Sequence, residues 1–207
     1  GLCDVIVATD DQRIFEVVQG AGKKVVMTST DHPSGTDRCL EAYQQWGEMA
    51  DAVINIQGDE PFVRVEQLNQ LVKAIGGTHD IATLAIKIED ATWLSDPNKV
   101  KVIFDEKETA AYFSRTAIPY VKGFEVSEWL AHHDYFKHLG LYAYKTNVLQ
   151  EITKLEQSSW EKVEGLEQLR WLQNGFKIFV GLTHWETPAI DTPEDLEKAL
   201  KHLKGSF

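Results

Sequence analysis

Residues 53–62 read VINIQGDEPF, and the change of chemistry within this stretch sets the fold. Val53-Ile54-Asn55-Ile56 has the β-branched density of a strand buried in a sheet. The chain then passes through Gln57 and Gly58 into Asp59, Glu60 and Pro61. Adjacent carboxylates at the exit of an apolar strand are costly to bury, so this exit faces water, a metal or a polar ligand. The same order of strand, polar loop and helix occurs twice upstream. Asp4 to Ala8 exits through ATDD into a helix over Asp11 to Gln19, stopped by Gly20 and Gly22. Lys24 to Thr28 exits through STDHPSG into a helix from about Thr36 to Trp46. After the strand Ala52 to Ile56 comes a helix over Val65 to Ile75, with Val65, Leu68, Leu71, Val72 and Ile75 on one face, and then a strand over Asp80 to Ile88. This alternation predicts an α/β fold with a mostly parallel sheet covered on both faces. In such sheets ligands sit beyond the carboxyl ends of the strands, and ATDD, STDHPSGTDR and QGDEP all leave those ends.

Beyond residue 90 the pattern changes. Lys99 to Phe104 and Ala110 to Ser114 flank Asp105-Glu106-Lys107-Glu108 and predict a β-hairpin. Trp129 to His133 reads as a short helical turn. Phe136 to Lys145, FKHLGLYAYK, alternates as a strand, placing His138, Tyr142 and Tyr144 on one face and Leu139, Leu141 and Ala143 on the other. Four regular strand steps separate His138 from Tyr142 by about 13 Å, enough to hold opposite ends of a sugar-sized ligand. Ser158-x-x-Glu161 is a capping-box pattern opening a helix to Gln173, ended by Gly175. Lys177 to Leu182 is a strand, and Thr192-Pro193-Glu194-Asp195 starts a last helix. The simplest organisation is one domain over 1–207, with a hairpin-rich region at about 99–145.

Composition narrows the function classes. The 207 residues are 43% hydrophobic and 26% charged, ordinary globular values, with a formal charge of −11. That charge argues against a protein that coats nucleic acid, while leaving room for a small anionic substrate held by local cations or a metal. Cys3 and Cys39 form neither a metal spacing nor a disulfide framework, which fits a reducing compartment. No apolar run reaches the roughly 18 residues of a membrane-spanning helix.

There is no Walker loop and no G-x-G-x-x-G, so the candidate chemistry lies in acids, hydroxyls and one histidine. Asp59 reads either as a ligand for Mg²⁺, which favours one or two carboxylates plus phosphate oxygens, or as a solvated turn residue. Asp191 precedes the last N-cap; it serves the helix start unless the fold brings it beside Asp59. Ser34, Gly35 and Thr36 precede a helix, where free N–H groups suit an anion or a base edge, and where a plain N-cap is the commoner arrangement. Arg38 faces either a ligand or its helix neighbours Asp37 and Glu41, and His32 reads as a loop residue. Gln57 reads a ligand hydroxyl or satisfies a loop carbonyl. His138 with Tyr142 makes a fair sugar-binding face, although packed strand histidines are common. Glu167 and Gln168 are ligand contacts or surface positions.

Taken together, VIVATDD, MTSTDHPSGTDR, VINIQGDEPF, DPNKVKVIF, AAYFSRTAIPY, FKHLGLYAYK, GLEQLRWL and DTPEDLE closely resemble the 3-deoxy-manno-octulosonate cytidylyltransferases, in family order from residue 5 to residue 197. The resemblance implies a Rossmann-like nucleotidyltransferase. In that reaction the anomeric hydroxyl of 3-deoxy-D-manno-octulosonate (Kdo) attacks the α-phosphorus of CTP, giving CMP-Kdo and pyrophosphate for lipopolysaccharide assembly in the cytoplasm. It implies that Asp59 and Asp191 hold Mg²⁺ against the triphosphate, that Ser34, Gly35, Thr36 and Arg38 line the cytidine site, and that Gln57, Arg115, His138, Tyr142, Glu167 and Gln168 bind Kdo. It also implies a homodimer formed through the hairpin region around FSRTAIPY.

One departure stands out. The family opens with a strand and a basic, glycine-containing loop that holds the triphosphate; nothing here matches it. Roughly 40 residues of strand, loop and helix are therefore expected to be missing from this sequence, with core and unpaired strand edges exposed. The rival readings are activation of a sialic acid by related chemistry, and a non-catalytic nucleotide- or sugar-binding protein that lacks the phosphate loop.

Overall fold

Two sheets, one narrow and one broad, organise the described residues. The structure is a computed structural model and describes residues 4–186 together with Ile190, Thr192, Glu194, Leu196, Glu197 and Leu200. β1 (Val7–Thr9) and β2 (Val25–Met27) pair in parallel as a two-stranded ribbon, and α1 (Gln12–Gly20) makes the crossover between them. The second sheet holds β3 (Ala52–Asn55), β4 (Ile81–Lys87), β5 (Lys101–Phe104), β6 (Ala110–Ser114), β7 (Phe136–Lys145) and β8 (Ile178–Thr183), in the order β6-β5-β7-β4-β8 with β3 also on β7. The helices are α2 (Gly35–Trp46), α3 (Val65–Ile75), α4 (Thr92–Ser95), α5 (Thr146–Ile152), α6 (Ser159–Glu164) and α7 (Gln168–Gln173), with a 3-10 turn at Val126–Ala131.

The expected α/β class holds, and β3, β4, β5 and β8 share one direction. The ladders themselves are mixed, because β7 runs antiparallel against β3, β4 and β5, and β6 is antiparallel to β5. This corrects the expectation of parallel neighbours. β7 enters from the hairpin-rich segment and not from a crossover helix, so it runs back through the middle of the sheet.

β4 and β7 are buried on both faces, and two cores lie on either side of them. On one face Tyr142, Tyr144, Leu149, Leu169, Trp171 and Ile178 pack together. On the other, Leu139, Leu141, Ala143, Ala82 and Leu84 pack against Leu71, Ala74 and Ile75 of α3. The alternation read in FKHLGLYAYK therefore assigns the two faces of β7 as they occur. A third cluster joins Ile88, Leu94, Trp129 and Tyr135 beneath the loops after β4 and β6.

Local chemistry explains most of the boundaries. Asp11 caps α1 by accepting the Arg13 N–H at 2.8 Å, and Ser34 caps α2 by accepting the Asp37 N–H at 3.3 Å. The β5–β6 hairpin closes on Asp105, whose Oδ1 accepts the N–H groups of Lys107 and Thr109, each at 2.9 Å. The single helix expected over Ser158 to Gln173 is two: the Ser158 capping box starts α6, but Gly165 adopts φ 62 and ends it, and α7 starts afresh at Gln168. α5 follows β7 directly; its buried Val148, Leu149 and Ile152 lie too close to the strand's own apolar run to be separated from it by pattern alone. In the expected last helix, the Leu196 N–H donates to the Thr192 carbonyl at 3.1 Å, while Pro193 and Asp195 lie outside the described residues.

Candidate functional site

The loop after β2 and the break between α6 and α7 meet in one cleft of about 450 Å³, lined by Pro33, Ser34, Lys162, Gly165, Glu167 and Arg170. Glu167 is the hinge of this meeting. Its Oε1 accepts the Ser34 hydroxyl at 2.8 Å and its Oε2 accepts the Thr36 hydroxyl at 2.8 Å. Ser34 Oγ also stands 2.6 Å from Asp37 Oδ2, and one hydroxyl proton cannot serve both carboxylates. Burial raises the Glu167 pKa, against the lowering effect of both hydroxyl donors and Arg170. Gln168, the first residue of α7, is buried beside it.

Gly35 opens α2 with the Gln57 amide lying against its Cα; a Cβ there would stand 2.7 Å from Gln57 Nε2. That contact brings the exit loop of β3 to the exit loop of β2. Arg38 is engaged elsewhere, donating to Thr28 Oγ1 and to Asp10 Oδ2, both at 2.6 Å. It ties α2 to the carboxyl ends of β1 and β2 instead of to Asp37 or Glu41. His32 pairs with Glu41, as a loop residue.

β7 supplies an aromatic wall. The His138 and Tyr142 rings stand only 5.3 Å apart, so they form one surface and not the two ends of a 13 Å span. The cause is a bulge. Thr83 pairs with Tyr142 but Leu84 pairs with Leu139, so Gly140 and Leu141 have no opposite residues on β4. The Thr83 hydroxyl fills the bulge, lying 2.8 Å from the Leu141 carbonyl and 3.1 Å from that of Leu139. With its only proton given to a carbonyl, Thr83 Oγ1 accepts from His138 Nε2 at 3.0 Å, which assigns the Nε2–H tautomer and leaves Nδ1 as an acceptor. Burial, helped by the Lys137 charge, holds the His138 pKa down to about 3, so the imidazole is neutral. Trp171 Nε1 is buried without a hydrogen-bond partner among the described residues, and the Tyr142 hydroxyl, although Thr83 lies beside it, makes no bond of good geometry. Glu60 leans onto the bulge, its Oε1 3.1 Å from where a Cβ on Gly140 would stand.

Arg115, at the end of β6, spends its guanidinium on main chain. Nε donates to the Glu164 carbonyl at 2.6 Å, Nη1 to Pro97 at 3.0 Å and Nη2 to Gly165 at 3.3 Å. It clamps the very turn that presents Glu167 and Gln168. Behind it, fully buried Lys101 donates to the carbonyls of Arg115 and Asp96 at 2.6 and 2.9 Å. Burial pushes the Cys39 thiol up to about 11, which disfavours the nucleophilic thiolate.

Asp59 is exposed at the end of the β3 exit loop, and its carbonyl accepts the Ile190 N–H at 2.8 Å. Residue 190 is thus docked on residue 59; Asp191 itself lies outside the described residues. Among the described residues no three His, Cys, Asp or Glu gather as a metal cluster. An exposed carboxylate with room for further oxygen ligands fits a hard cation that is completed by phosphate. Among the described residues no helix is long and apolar enough to cross a membrane.

Sequence reasoning missed Thr83, Lys101 and Arg170. The signal for Lys101 is a cation leading directly into the apolar run VIF of a strand. Arg170 sits inside LEQLRWL between Leu169 and Trp171, a cation embedded in a buried helical face. Thr83 carries no local signal.

The cytidylyltransferase family model matches residues 2–178. The chain is 52% identical over 207 residues to the 3-deoxy-manno-octulosonate cytidylyltransferase of Parabacteroides distasonis, covering 98% of this chain and 82% of that one. It is 46% identical over 200 residues to the 8-amino-3,8-dideoxy-manno-octulosonate cytidylyltransferase of Shewanella halifaxensis, covering 95% and 79%. Among solved structures, a CMP:2-keto-3-deoxy-manno-octonic acid synthetase complexed with CTP matches with a TM-score of 0.91 at 37% identity, covering 100% of this chain and 83% of that chain.

Proposed function

The chain belongs to the cytidylyltransferase family, and from that premise we propose that it transfers CMP from CTP to Kdo. The anomeric oxygen of Kdo bonds to the α-phosphorus, the α–β phosphoanhydride bond breaks, and pyrophosphate leaves. The observation that carries this reading is the cleft in which the hydroxyls of Ser34 and Thr36 meet Glu167. A nucleotide on the first loop and a sugar acid on the second then face each other across one space, and positioning is most of what phosphoryl chemistry requires.

Ser34, Gly35 and Thr36 receive the cytidine end, with Arg38 holding that loop to the β1–β2 ribbon. His138 Nδ1, the orphan Tyr142 hydroxyl, Gln57, Glu167 and Gln168 offer polar partners to the sugar hydroxyls, and Arg115 fixes the turn beneath them. An unpartnered buried hydroxyl such as that of Tyr142 is explained by a polar ligand that completes it. We assign Asp59 and Asp191 to Mg²⁺, which supplies charge neutralisation on the triphosphate when bound. Two copies would pair through the hairpin-rich segment, where Tyr120 and Phe124 stay exposed, and the setting is cytoplasmic lipopolysaccharide synthesis.

The test is pyrophosphate release from CTP and Mg²⁺ with Kdo, its 8-amino analogue, N-acetylneuraminate, or no acceptor. Kdo-dependent release supports the reading. Preference for the 8-amino sugar would move the substrate to that of the Shewanella relative. Release with none of them would leave a binding protein.

A further inference from the structure

We propose that Arg170 is a positioning residue for the sugar side of the cleft, acting through Glu167, which it holds in the ionised, hydrogen-bond-accepting form. This rests on the reading of Glu167 as a sugar-facing carboxylate.

Arg170 lies on α7 with its side chain 7% exposed, a costly place for a guanidinium unless it is fully matched. Nη1 donates to the Leu155 carbonyl at 2.9 Å, and Nη2 donates to Glu167 Oε1 at 3.1 Å. Nε stands 3.1 Å from Glu161 Oε2, with its N–H directed off that oxygen, so this third contact is an ion pair without a hydrogen bond. Glu161 is equally buried and already accepts the Ser158 N–H at 3.3 Å in the α6 capping box. One guanidinium is thus shared by two carboxylates, Glu161 on the structural side and Glu167 on the cleft side. If all three are ionised, the buried group carries one net negative charge.

Such a group is finely poised. Glu167 faces Asp37 and Cys39 of α2, Tyr142 and Tyr144 of β7, Lys162 at the cleft wall, and Arg170. Of the two cations, only Arg170 bonds it. Burial and Asp37 favour the neutral acid, and Glu161 draws on the same Arg170 charge that opposes them. As an acid Glu167 would donate where the geometry asks it to accept, from Thr36 and from a sugar hydroxyl, while the one Ser34 proton is contested by Asp37. Glu161 and Glu167 therefore compete for the same cation, and removing either partner moves the remaining balance in a definite direction.

The experiment is a carboxyl ¹³C NMR titration of Glu167 in the intact protein, assigned with Glu167→Gln, in wild type, Arg170→Met, Arg170→Lys and Glu161→Gln. Arg170→Met raises the Glu167 pKa by about one unit or more, Arg170→Lys recovers at least half of that shift, and Glu161→Gln lowers the pKa by about half a unit. Both Arg170→Met and Glu161→Gln loosen the α6–α7 packing, so shifts of the same sign in the two, or no shift in either, overturn the proposal. Should Arg170→Met fail to fold, the opposite signs expected of Arg170→Lys and Glu161→Gln decide it. In turnover assays with CTP, Arg170→Met raises the KM for Kdo about tenfold, at least three times more than the KM for CTP; equal increases overturn the sugar-side assignment. Wild type without Kdo-dependent pyrophosphate release would defeat the functional reading, while the titration would still report on the charge balance by itself.

Discussion

The β1–β2 ribbon with α1, and the wall of β4, β7 and α5 to α7, carry comparable apolar patterns but are packed to different depths. α1 has a well-separated apolar face, yet none of its residues is buried, and Ile14 and Val17 remain 49% and 72% exposed. β4 buries Ile81, Ala82, Thr83, Leu84 and Ala85 in succession, and α7 buries Gln168 to Trp171. A segment's periodicity tells which face it can bury, not how much of that face is covered. Coverage comes from partners distant in the chain, and the wall has them on both sides.

Perturbation should separate the two regions sharply. Trp171, edge-on to Tyr142 and Tyr144 at 5.2 and 5.6 Å, is 1% exposed; Trp171→Ala is expected to cost about 3–5 kcal/mol in urea unfolding, and a loss under about 1 kcal/mol would mean that the wall is loosely packed. At the exit of β3, packing and activity part company. Asp59→Asn should lower turnover about a hundredfold while leaving the unfolding midpoint unchanged, because the side chain is exposed; near-normal turnover would overturn the proposed assignment of Asp59 to a metal.

A smaller effect comes from His138. Its folded pKa of about 3 lies below the ordinary 6.5, so below pH 6.5 the unfolded chain binds more protons than the folded one. The stability that its neutral form contributes is complete above pH 6.5 and is lost as the pH falls from there toward 3. The slope is about 1 kcal/mol per pH unit, after allowing for partial exposure. Comparing wild type with His138→Gln at pH 7 and pH 5 isolates it, and parallel losses in the two proteins would show that the imidazole is not the titrating group. The smallest effect belongs to the ribbon, where Val17→Ala should move stability by no more than about 0.5 kcal/mol. A loss of 2 kcal/mol or more there would show that α1 is covered in solution.

Local pattern made much of this legible. The order of strands and helices as far as β4, the Ser34 and Ser158 caps, the hairpin at Asp105 and the two faces of β7 all follow from spacings of a few residues. What stayed hidden depends on distance along the chain or on a single backbone angle. Nothing near Ser34 announces a bond to Glu167, 133 residues later. Gly165 in its left-handed conformation divides a stretch whose apolar pattern runs on unbroken, and that division presents Glu167 to the cleft. The reversed direction of β7 is a fact of strand order, which side-chain alternation does not encode.

The bulge at Gly140 and Leu141 has a consequence for how this protein tolerates change in length. It adds an even number of residues to β7 relative to β4, so the alternation before and after it stays in phase and His138 keeps to the face of Tyr142. An insertion or deletion of two residues there resizes the bulge and preserves that phase. A change of one residue inverts everything from Phe136 to Leu139, sending the imidazole toward α3 and a leucine onto the face of Tyr142. Along this strand, length drift in units of two is a local adjustment, and drift of one exchanges the contents of the two cores.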